Sequence, residues 1–447
     1  MSNHVGAWRS SSPRSPRNDN RAAAERALII GYNGGVGSAV LSALQKSKPG
    51  ERLLQGLDEI FLADQEAPAG PIPLESSRLL PPVSIRSGEE LGRMIRELGL
   101  TQVIDLSSTD TVDCTQVCDE LDANFLCTSV EEWPERGSYP TDAAIARLKP
   151  ANAPELTRRS HLVGSGANPG IVNALVFAAM EEMARRTGAE PTVEALDLHS
   201  ILITEEDTTH EPGVHYDADV FPMTWSPEHC LEELFEPRSF VASHGRVVDL
   251  GHRPVERLYR ARCGDRIIDA MAVPHEETKT LIWRFPKVEI AFLYRIPEAA
   301  RNALAAHPEW DASGPWKTHR LFPPTTTRLV GRDRVGILLC SRTFGELWMG
   351  FDTDVSQGSP YRTNATELQV AAGVIAGWKQ LDREPGIHFV EDLDWRRFLG
   401  TASEILGQPV IFHDPDAKPI SIAERAVGDL VRPKRSDRGE KLAAAAG

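Results

Sequence analysis

The chain has 447 residues, and a chain of this length usually divides into two domains, which leaves room for a cofactor site and a separate substrate site. Its formal charge of -15 disfavours non-specific nucleic-acid binding, and no apolar run is long enough to span a bilayer, so we expect neither a nucleic acid nor a membrane as a partner. The hydrophobic share of 41% and the charged share of 25% are those of ordinary globular proteins and predict a soluble chain.

The six cysteines show no CxxC spacing of a zinc or redox site, and the N-terminal residues do not resemble a secretory signal. We therefore predict reduced thiols, no metal site and a cytoplasmic location. The cysteines are Cys114, Cys118, Cys127, Cys230, Cys263 and Cys340.

Both ends of the chain differ in composition from the rest. Residues 1–25 are rich in Ser, Pro, Arg and Asn and lack apolar periodicity, and residues 431–447 have the same character. Such segments bury too little apolar surface to offset the loss of chain entropy on folding. We predict a disordered tail at each end.

The region from 26 to 165 has the pattern of an α/β domain. It begins with a short apolar run, a glycine-rich turn and apolar residues at helical spacing, which predict a strand, a tight loop and a helix. Further apolar runs follow at EIFLAD, QVIDLSS and NFLCTSV, separated by polar stretches that are compatible with helices. This alternation predicts a Rossmann-type, doubly wound parallel sheet with helices on its faces.

The region from 166 to 430 has a different character. After the turn GSGANPG comes a strongly amphipathic helix, IVNALVFAAMEEMARR, and then strand-like runs such as VEALDLHSILI and VEIAFLYRI. We predict a second, α+β domain here that carries the substrate site. Residues 364–382 are predicted to form a helix, capped by Asn364 or Thr366, that packs back on the first domain.

The glycine-rich turn lies directly between the first strand and the first helix, where a dinucleotide fingerprint belongs. Glycines are needed there because the chain turns sharply, a pyrophosphate approaches the backbone closely, and the helix N-terminus points free N–H groups at the anion. The spacing has one residue more than the commonest form of the fingerprint. The predicted cofactor-binding residues of this loop are Gly31, Asn33, Gly34, Gly35, Val36 and Gly37.

Asp64 closes the second predicted strand, in EIFLAD. From that position a carboxylate accepts hydrogen bonds from the adenosine ribose hydroxyls, and its charge repels a 2′-phosphate. The acid therefore favours NAD over NADP as the cofactor. A turn-forming or helix-capping role is the alternative interpretation of Asp64.

A series of motifs runs in order from residue 31 to about residue 400. They are GYNGGVG, LSSTDT, TSVEEWP, SGANPGIVN, ITEEDTTHEP, TWSPEHCLEE, PHEET, GRDRVGILL and YRTNATELQV. In this order they resemble the motifs of the homospermidine synthase branch of the saccharopine dehydrogenase-like enzymes. The resemblance implies NAD bound at the switch point of a Rossmann domain, a second domain that closes the active site, and a homodimer.

The resemblance assigns single residues to the cofactor and to the substrate. It places Ser107, in LSSTDT, in the cofactor site and Asn168, in ANPG, at the nicotinamide side of that site; a turn-forming role ahead of Pro169 is the alternative for Asn168. Trp225 matches a tryptophan that stacks against the amine substrate. An indole face stabilises a cation through its quadrupole and offers no proton acceptor, whereas the alternative is a tryptophan of the hydrophobic core.

Further residues match positions that line the diamine pocket of the family. A diamine is held at one end as an ammonium and must be neutral at the other, because hydride leaves only from a carbon next to an uncharged nitrogen. Carboxylates meet the first need, and a general base near neutral pH, for which we predict His275, meets the second. The matching residues are Glu205, Glu233, His275 and Glu277.

Some positions depart from the family pattern. Asp110 matches a catalytic acid of the family only after a shift of one residue, and Glu131 and Glu132 both lie near another active-site acid. Glu206 stands where the family has a basic residue, and Pro297–Glu298 stands where it has an acidic pair. We expect these changes to surround the substrate more than the cofactor.

Three functional hypotheses follow. The leading one is NAD-dependent oxidation of a primary amine, such as that of putrescine, to an imine, with amine transfer and re-reduction. The second is reductive condensation of an aldehyde or keto acid with an amine, as in carboxynorspermidine or saccharopine formation, and Arg262, Arg284 and Arg295 are candidates to bind its carboxylate. The third is a nucleotide-binding protein that keeps the fold without turnover.

Overall fold

The structure is a computed structural model that describes residues 24–68, 74, 76–133, 145–149, 152–323 and 329–431. Apart from their innermost residues, the tails predicted at 1–25 and 431–447 lie outside the described residues. Two large β-sheets and a layer of helices build the described part.

The strands and helices are numbered here in chain order. The strands are β1 Arg26–Ile30, β2 Glu59–Ala63, β3 Ser77–Leu79, β4 Gln102–Asp105, β5 Asn124–Cys127, β6 Ser160–Leu162, β7 Leu198–Asp207, β8 Val220–Met223, β9 Phe240–Ser243, β10 Arg246–Asp249, β11 Leu258–Cys263, β12 Arg266–Val273, β13 Glu289–Arg295, β14 Lys317–Arg320, β15 Arg332–Ser341, β16 Gly345–Asp354, β17 Gly386–His388, β18 Val410–Asp414 and β19 Ala426–Gly428. The helices are α1 Gly35–Lys46, α2 Lys48–Leu54, α3 Gly88–Leu98, α4 Thr111–Glu120, α5 Ile171–Thr187, α6 Pro227–Leu234, α7 Glu276–Arg284, α8 Glu298–Ala306, α9 Val355–Gly358, α10 Ala365–Trp378 and α11 Trp395–Leu406.

The first sheet is parallel throughout. Its strands lie in the order β3, β2, β1, β4, β5, β6, and β17 continues the sheet beyond β6. The order 3-2-1-4-5-6 is that of dinucleotide-binding folds, and it places the topological switch point between β1 and β4. The predicted Rossmann-type class is confirmed.

The second sheet is mixed. Its strands follow the order β18, β16, β15, β7, β13, β12, β11, β19, and the hairpin of β9 and β10 attaches to β13. β7 and β13 are parallel, whereas β7 and β15 are antiparallel. A separate two-stranded sheet pairs β8 with β14. The α+β character predicted for the second domain is confirmed.

The chain returns to the first domain after it has built most of the second sheet. α10 packs against α1, and β17 pairs with β6. α10 begins where it does because the Asn364 side chain accepts a hydrogen bond from the backbone N–H of Glu367 at 2.9 Å, so Asn364 is the cap of the two that the sequence offered. The predicted bounds 26–165 and 166–430 therefore assign β17 to the second domain, although it pairs in the sheet of the first. A strand of three residues is too short to give a sequence signal.

The largest cluster of buried apolar side chains runs from the first sheet through α1, α5, α10 and α11 to the second sheet. A shared helical layer of this kind fixes the two domains against each other. All six cysteines are buried and carry free thiols. Among the described helices, none is both long enough and apolar enough to cross a membrane.

Candidate active site

A cleft of about 680 Å³ opens at the carboxyl ends of β1, β2 and β4, at the switch point of the parallel sheet. Its volume is that of a small-molecule site. Five of the predicted cofactor residues line it: Gly31, Asn33, Gly34, Asp64 and Ser107. We call this region the nucleotide cleft.

Two glycines of the loop are required by its geometry. Gly31 has a φ of +78°, and a Cβ there would lie 2.6 Å from the carbonyl oxygen of Leu106. A Cβ on Gly37 would overlap the Gly31 carbonyl. A larger residue at position 37 would push α1 away from the loop, and one at position 31 would push the loop away from the segment that follows β4.

The N-terminus of α1 faces the anion position without a cap of its own. Gly34 is the N-cap residue and offers no side-chain hydrogen bond, and the first turn contains no acidic residue. The free N–H groups and the helix dipole therefore favour a bound anion such as a diphosphate. Gly35 and Val36 lie at this helix start but outside the residues that line the cleft, and Gly35 packs against the Glu367 carboxylate.

Asp64 has its predicted place at the end of β2 and also holds the glycine-rich loop. Its carboxylate accepts hydrogen bonds from the backbone N–H of Asn33 at 3.0 Å and of Glu66 at 3.2 Å. Arg86 lines the same cleft, so a cation is also within the nucleotide region. The cleft thus contains two opposite charges, those of Asp64 and Arg86.

Ser107 is positioned by the end of β4. Its backbone N–H and its hydroxyl donate to Oδ1 of Asp105 at 3.0 and 2.6 Å, and the Thr109 hydroxyl donates to Oδ2. Burial raises the pKa of Asp105 to about 6, against the opposite effect of these hydrogen bonds. This network fixes the LSSTDT turn at the floor of the nucleotide cleft.

An aromatic wall lies on the face of the second sheet that looks towards the helical layer. The Trp225 indole donates from Nε1 to the Tyr294 hydroxyl at 3.2 Å. Tyr294 stacks on Phe292, and the Phe292 ring meets the His275 ring edge-on with 5.0 Å between centroids. Trp225 is partly exposed, whereas the other three are buried, so part of the indole remains accessible.

His275 is joined to two carboxylates at the start of α7. Nδ1 of His275 is hydrogen-bonded to Glu277 and lies 3.4 Å from Glu276. Burial by itself lowers the pKa of His275, but the carboxylates of Glu277 and its neighbours outweigh burial and raise the pKa well above its usual value. The ligand atoms of these three residues lie within 4.8 Å of one another, as a metal ion would require, and the charge-assisted hydrogen bond accounts for this approach.

The raised pKa corrects one prediction. A general base that is neutral near pH 7 was expected at His275, but this environment keeps the imidazole protonated. The residue is therefore suited to donate a proton rather than to accept one in the resting protein.

Three further carboxylates meet beside the aromatic wall. Glu205 and Asp207 lie on the same face of β7, since alternate residues of a strand point the same way, and Asp333 of β15 is in register with Asp207. Glu205 accepts a hydrogen bond from Nδ2 of Asn168 at 2.8 Å. Burial and the charges of Asp333 and Asp207 raise the pKa of Glu205 well above its usual range. Burial and Asp207 do the same to the pKa of Asp333.

Glu233 and Glu131 approach the same region from α6 and from the segment after β5. Burial raises the pKa of Glu233 to about 8, although the nearby His275 lowers it. Burial and the charge of Glu276 raise the pKa of Glu131 to about 7. We call the region formed by the aromatic wall and these carboxylates the acidic pocket. Clustered carboxylates that hold protons near neutral pH are typical of functional sites.

Two solved structures are similar to this chain over most of its length. The crystal structure of homospermidine synthase from Legionella pneumophila in complex with NAD matches with a TM-score of 0.71 and 20% sequence identity, over 88% of this chain and 92% of that chain. The chain has the homospermidine synthase fold. Apo saccharopine dehydrogenase (L-Glu forming) from Saccharomyces cerevisiae matches with a TM-score of 0.51 and 10% identity, over 87% of this chain and 100% of that one. No family model and no protein of curated function matches the sequence.

The structure places Asp110 at the start of α4. Asp110 is the N-cap of α4, where its carboxylate accepts a hydrogen bond from the backbone N–H of Asp113 at 2.9 Å and pairs with Arg147 at 2.8 Å. An acid between a strand and a helix fits capping as well as catalysis, and the geometry here is that of a cap. The structure therefore gives Asp110 a capping and ion-pairing role, and its catalytic role stays a prediction.

The departure at Glu206 also lies away from the pocket. Glu206 points to the opposite face of β7 from Glu205, where it pairs with Arg334 at 3.0 Å and with Arg295 at 3.6 Å. The expectation that this change surrounds the substrate is therefore wrong. Pro297 and Glu298 begin α8.

Two of the arginines that could have bound a substrate carboxylate are committed elsewhere. Arg295 faces Glu206, and Arg262 pairs with Asp414 at 3.4 Å and lies over the Phe412 ring at 4.1 Å. Arg284 stands in the last turn of α7. Carboxylates therefore dominate the described surface of the acidic pocket.

Five residues of the acidic pocket were missed by sequence reasoning: Glu276, Phe292, Tyr294, Asp207 and Asp333. A signal existed for three of them. Strand alternation predicts that Asp207 shares a face with Glu205, and that Phe292 and Tyr294 share a face of β13. No local pattern indicates that β15 would bring Asp333 to the same place.

Proposed function

We propose that the protein is an NAD-dependent amine oxidoreductase and aminoalkyl transferase of the homospermidine synthase type. It oxidises one primary amine of a diamine such as putrescine to an imine, a second amine then displaces ammonia, and the new imine is reduced. The observation that carries the proposal is the acidic pocket, in which carboxylates from several distant segments meet an accessible indole.

The nucleotide cleft fits NAD. The uncapped start of α1 suits the diphosphate, and Asp64 suits the ribose hydroxyls. When bound, NAD supplies the acceptor for a hydride from the substrate carbon. The Legionella enzyme with the same fold was crystallised in complex with NAD, which supports the same cofactor for this chain.

The acidic pocket suits a cation in two ways. The partly exposed Trp225 face attracts an ammonium through the quadrupole of its ring. The buried carboxylates Glu205, Asp207 and Asp333 repel one another, and a positive charge between them relieves that repulsion. A substrate carboxylate would add to the repulsion.

The same charges account for deprotonation of the substrate. An alkyl amine, like lysine, has a pKa of about 10.4, so at neutral pH it arrives as an ammonium that does not lose hydride. The far ammonium of a diamine favours the ionised form of Glu205, which Asn168 holds at 2.8 Å. The Glu205 carboxylate then accepts a proton from the reacting nitrogen, and the His275 imidazolium gives one to the ammonia that leaves.

Reductive condensation with a keto acid is the second candidate, supported by the likeness to saccharopine dehydrogenase. It needs a cation for the substrate carboxylate, and the acid partners of Arg262 and Arg295 weaken it. We also propose a homodimer, on the resemblance alone, which light scattering of the pure protein tests.

The test is a substrate panel. The purified protein is incubated with NAD and separately with diamines, monoamines, amino acids and keto-acid–amine pairs, and free NADH and product masses are both recorded. We expect a diamine to give an NAD-dependent secondary amine. Turnover confined to the keto-acid–amine pairs would favour the second candidate, and binding of NAD without any turnover would favour a non-catalytic nucleotide-binding protein.

A further inference from the structure

Two segments of the second domain meet the glycine-rich loop at the start of α1. Arg320 is the last residue of β14, and Glu367 stands in the first turn of α10. A Cβ on Gly35 would overlap both the Arg320 guanidinium and the Glu367 carboxylate. The φ of Gly35 lies outside the left-handed region, so this glycine makes room for the two side chains rather than for a special conformation of the loop.

The Arg320 guanidinium is held in place at this helix start. Its Nη2 donates a hydrogen bond to Oε1 of the buried Glu367, and Oε2 of Glu367 accepts another from the Thr363 hydroxyl at 2.7 Å. The Arg320 side chain is 39% exposed, and a guanidinium has five N–H donors in all. Arg320 can therefore bind a ligand while it stays paired with Glu367.

The position of this guanidinium favours a bound anion. The start of α1 carries the positive end of the helix dipole, which repels a cation unless negative charge balances it, and Glu367 supplies one such charge. A diphosphate brings further negative charge to the same helix start. Among the described residues that line the nucleotide cleft there are two carboxylates, Asp64 and Glu66, and one cation, Arg86. A diphosphate there needs a further cation, and Arg320 stands beside the loop that receives it.

Arg320 is also tied to the segment that carries the substrate tryptophan. Asn364, the N-cap of α10, donates from Nδ2 to the backbone carbonyls of Thr224 and Leu321. Thr224 precedes Trp225 in the chain, and Leu321 follows Arg320. One amide group therefore joins the segment of the indole to the segment of the guanidinium, next to the start of α1.

We propose that Arg320 binds the diphosphate of the dinucleotide together with the free N–H groups of α1, and that Glu367 positions the guanidinium for this contact. A guanidinium suits the task because its fork of N–H donors can bind two phosphate oxygens at once. The dinucleotide is then held by both domains. The proposal rests on the dinucleotide assigned to the nucleotide cleft and does not depend on the amine reaction.

The test is Arg320→Gln in the full-length protein, titrated by calorimetry with NAD, with ADP-ribose and with adenosine. NAD and ADP-ribose share the diphosphate and should bind about tenfold to a hundredfold more weakly than to wild type, the loss expected for a hydrogen bond between charged groups. Adenosine has no phosphate, so its affinity should not change. Arg332→Gln is the matched control, since the Arg332 side chain is 38% exposed and pairs with Asp352 at 2.8 Å. The control should bind all three ligands as wild type does.

A double variant separates diphosphate binding from a purely structural ion pair. Arg320→Gln alone leaves the buried Glu367 without its cation, which destabilises the fold and would by itself weaken binding. Combining Arg320→Gln with Glu367→Gln leaves neither charge of the pair behind, so the melting temperature should return towards that of wild type while NAD stays weakly bound. Arg320→Lys, which keeps the charge, should recover part of the affinity.

Two results would overturn the proposal: wild-type affinity of the double variant for NAD, or a loss in Arg320→Gln that is as large for adenosine as for NAD. Failure of the proposed function is a separate outcome. If wild type binds NAD but turns over no amine, the amine reaction is wrong, and these affinities still decide whether Arg320 binds the diphosphate.

Discussion

The nucleotide cleft and the acidic pocket are joined by a shared layer of helices, but they are suited to ligands of opposite charge. The cleft offers backbone N–H groups at the start of α1, and its carboxylate, Asp64, already accepts two backbone hydrogen bonds. In the acidic pocket, Glu205 and Asp333 face each other's charge, and the hydrogen bonds that they accept come from the neutral donors Asn168 and Thr366. The backbone of one helix start is enough to bind an anion. A cation site here needs carboxylates from distant segments, and their mutual repulsion opposes folding.

The largest loss of turnover should come from replacing His275, the proposed proton donor of the acidic pocket. His275→Gln keeps a hydrogen bond to Glu277 but carries no exchangeable imidazole proton, so turnover should fall by about two to four decades. Because the raised pKa keeps wild-type His275 protonated, raising the pH should not rescue the variant. Steady-state kinetics from pH 6 to 9 measures this, with the exposed His215→Gln as the control. If the turnover of the variant instead recovered at high pH, His275 would be a general base and not a proton donor.

Trp225 should give the next largest effect. Trp225→Phe keeps a weaker aromatic face and Trp225→Leu keeps only bulk, so the loss should increase in that order, with about 1–2 kcal/mol of cation–π stabilisation missing in the leucine variant. Ground-state binding of the cation appears in KM, and positioning of the transition state appears in kcat as well. Trp395→Leu, at the start of α11, is the control. If a folded Trp225→Leu protein processed its best amine as well as wild type does, the assignment of a cation site to the acidic pocket would be wrong.

Replacing Asp333 of the acidic pocket should have a smaller effect, which appears in the stability of the protein. In the folded protein the pKa of Asp333 lies well above that of the unfolded chain, so the unfolded state releases this proton more readily and stability falls as the pH rises above about 4. Asp333→Asn removes that dependence. We expect the variant to melt about 1 °C above wild type at pH 8, the shift that about 1 kcal/mol produces in a chain of this length, and no higher at pH 4.

Calorimetry at the two pH values measures this difference. Asp265→Asn is the control, since the Asp265 side chain is 75% exposed. A lower melting temperature of Asp333→Asn at pH 8 would show that the carboxylates of the pocket stabilise the fold rather than strain it.

The smallest effect concerns the nucleotide cleft. Asp64→Ser removes the charge that repels a 2′-phosphate while Arg86 remains in the cleft, so the preference for NAD over NADP should narrow by about 1 kcal/mol, the worth of one hydrogen bond. Since Asp64 also holds the loop through Asn33, both dinucleotides should bind somewhat more weakly. Titration of both cofactors measures this, and Glu97→Gln, an exposed residue of α3 outside the cleft, is the control. Tighter binding of NADP to wild type would contradict the prediction.

The difference between the two regions also decides what the sequence could predict. The cleft follows from a strand, a turn and a helix that are contiguous in the chain, so Gly31, Asp64 and the Rossmann-type class of the sheet were accessible from pattern and spacing. The position of β17 was not, because its pairing with β6 is set by packing over more than two hundred intervening residues and not by its own three.

The acidic pocket was predicted only in part. The family resemblance indicated Asn168, Glu205, Glu233, Trp225 and His275, and the structure brings these into one region. Their protonation could not be predicted, because it depends on burial and on carboxylates that arrive from other strands. The role of Asp110 could not be decided from the sequence either, since a helix cap and a catalytic acid look alike in sequence.

Deuterium tracing shows whether the acidic pocket delivers an amine to NAD. A diamine with deuterium on the carbons next to both nitrogens is incubated with the protein and NAD in unlabelled water, and the product is analysed by mass spectrometry. We expect a secondary amine whose formation requires NAD and which has lost no deuterium to the solvent, because the isotope is transferred to NAD and returns to the same carbon. A product that forms without NAD, or that exchanges its deuterium with water at that carbon, would contradict it.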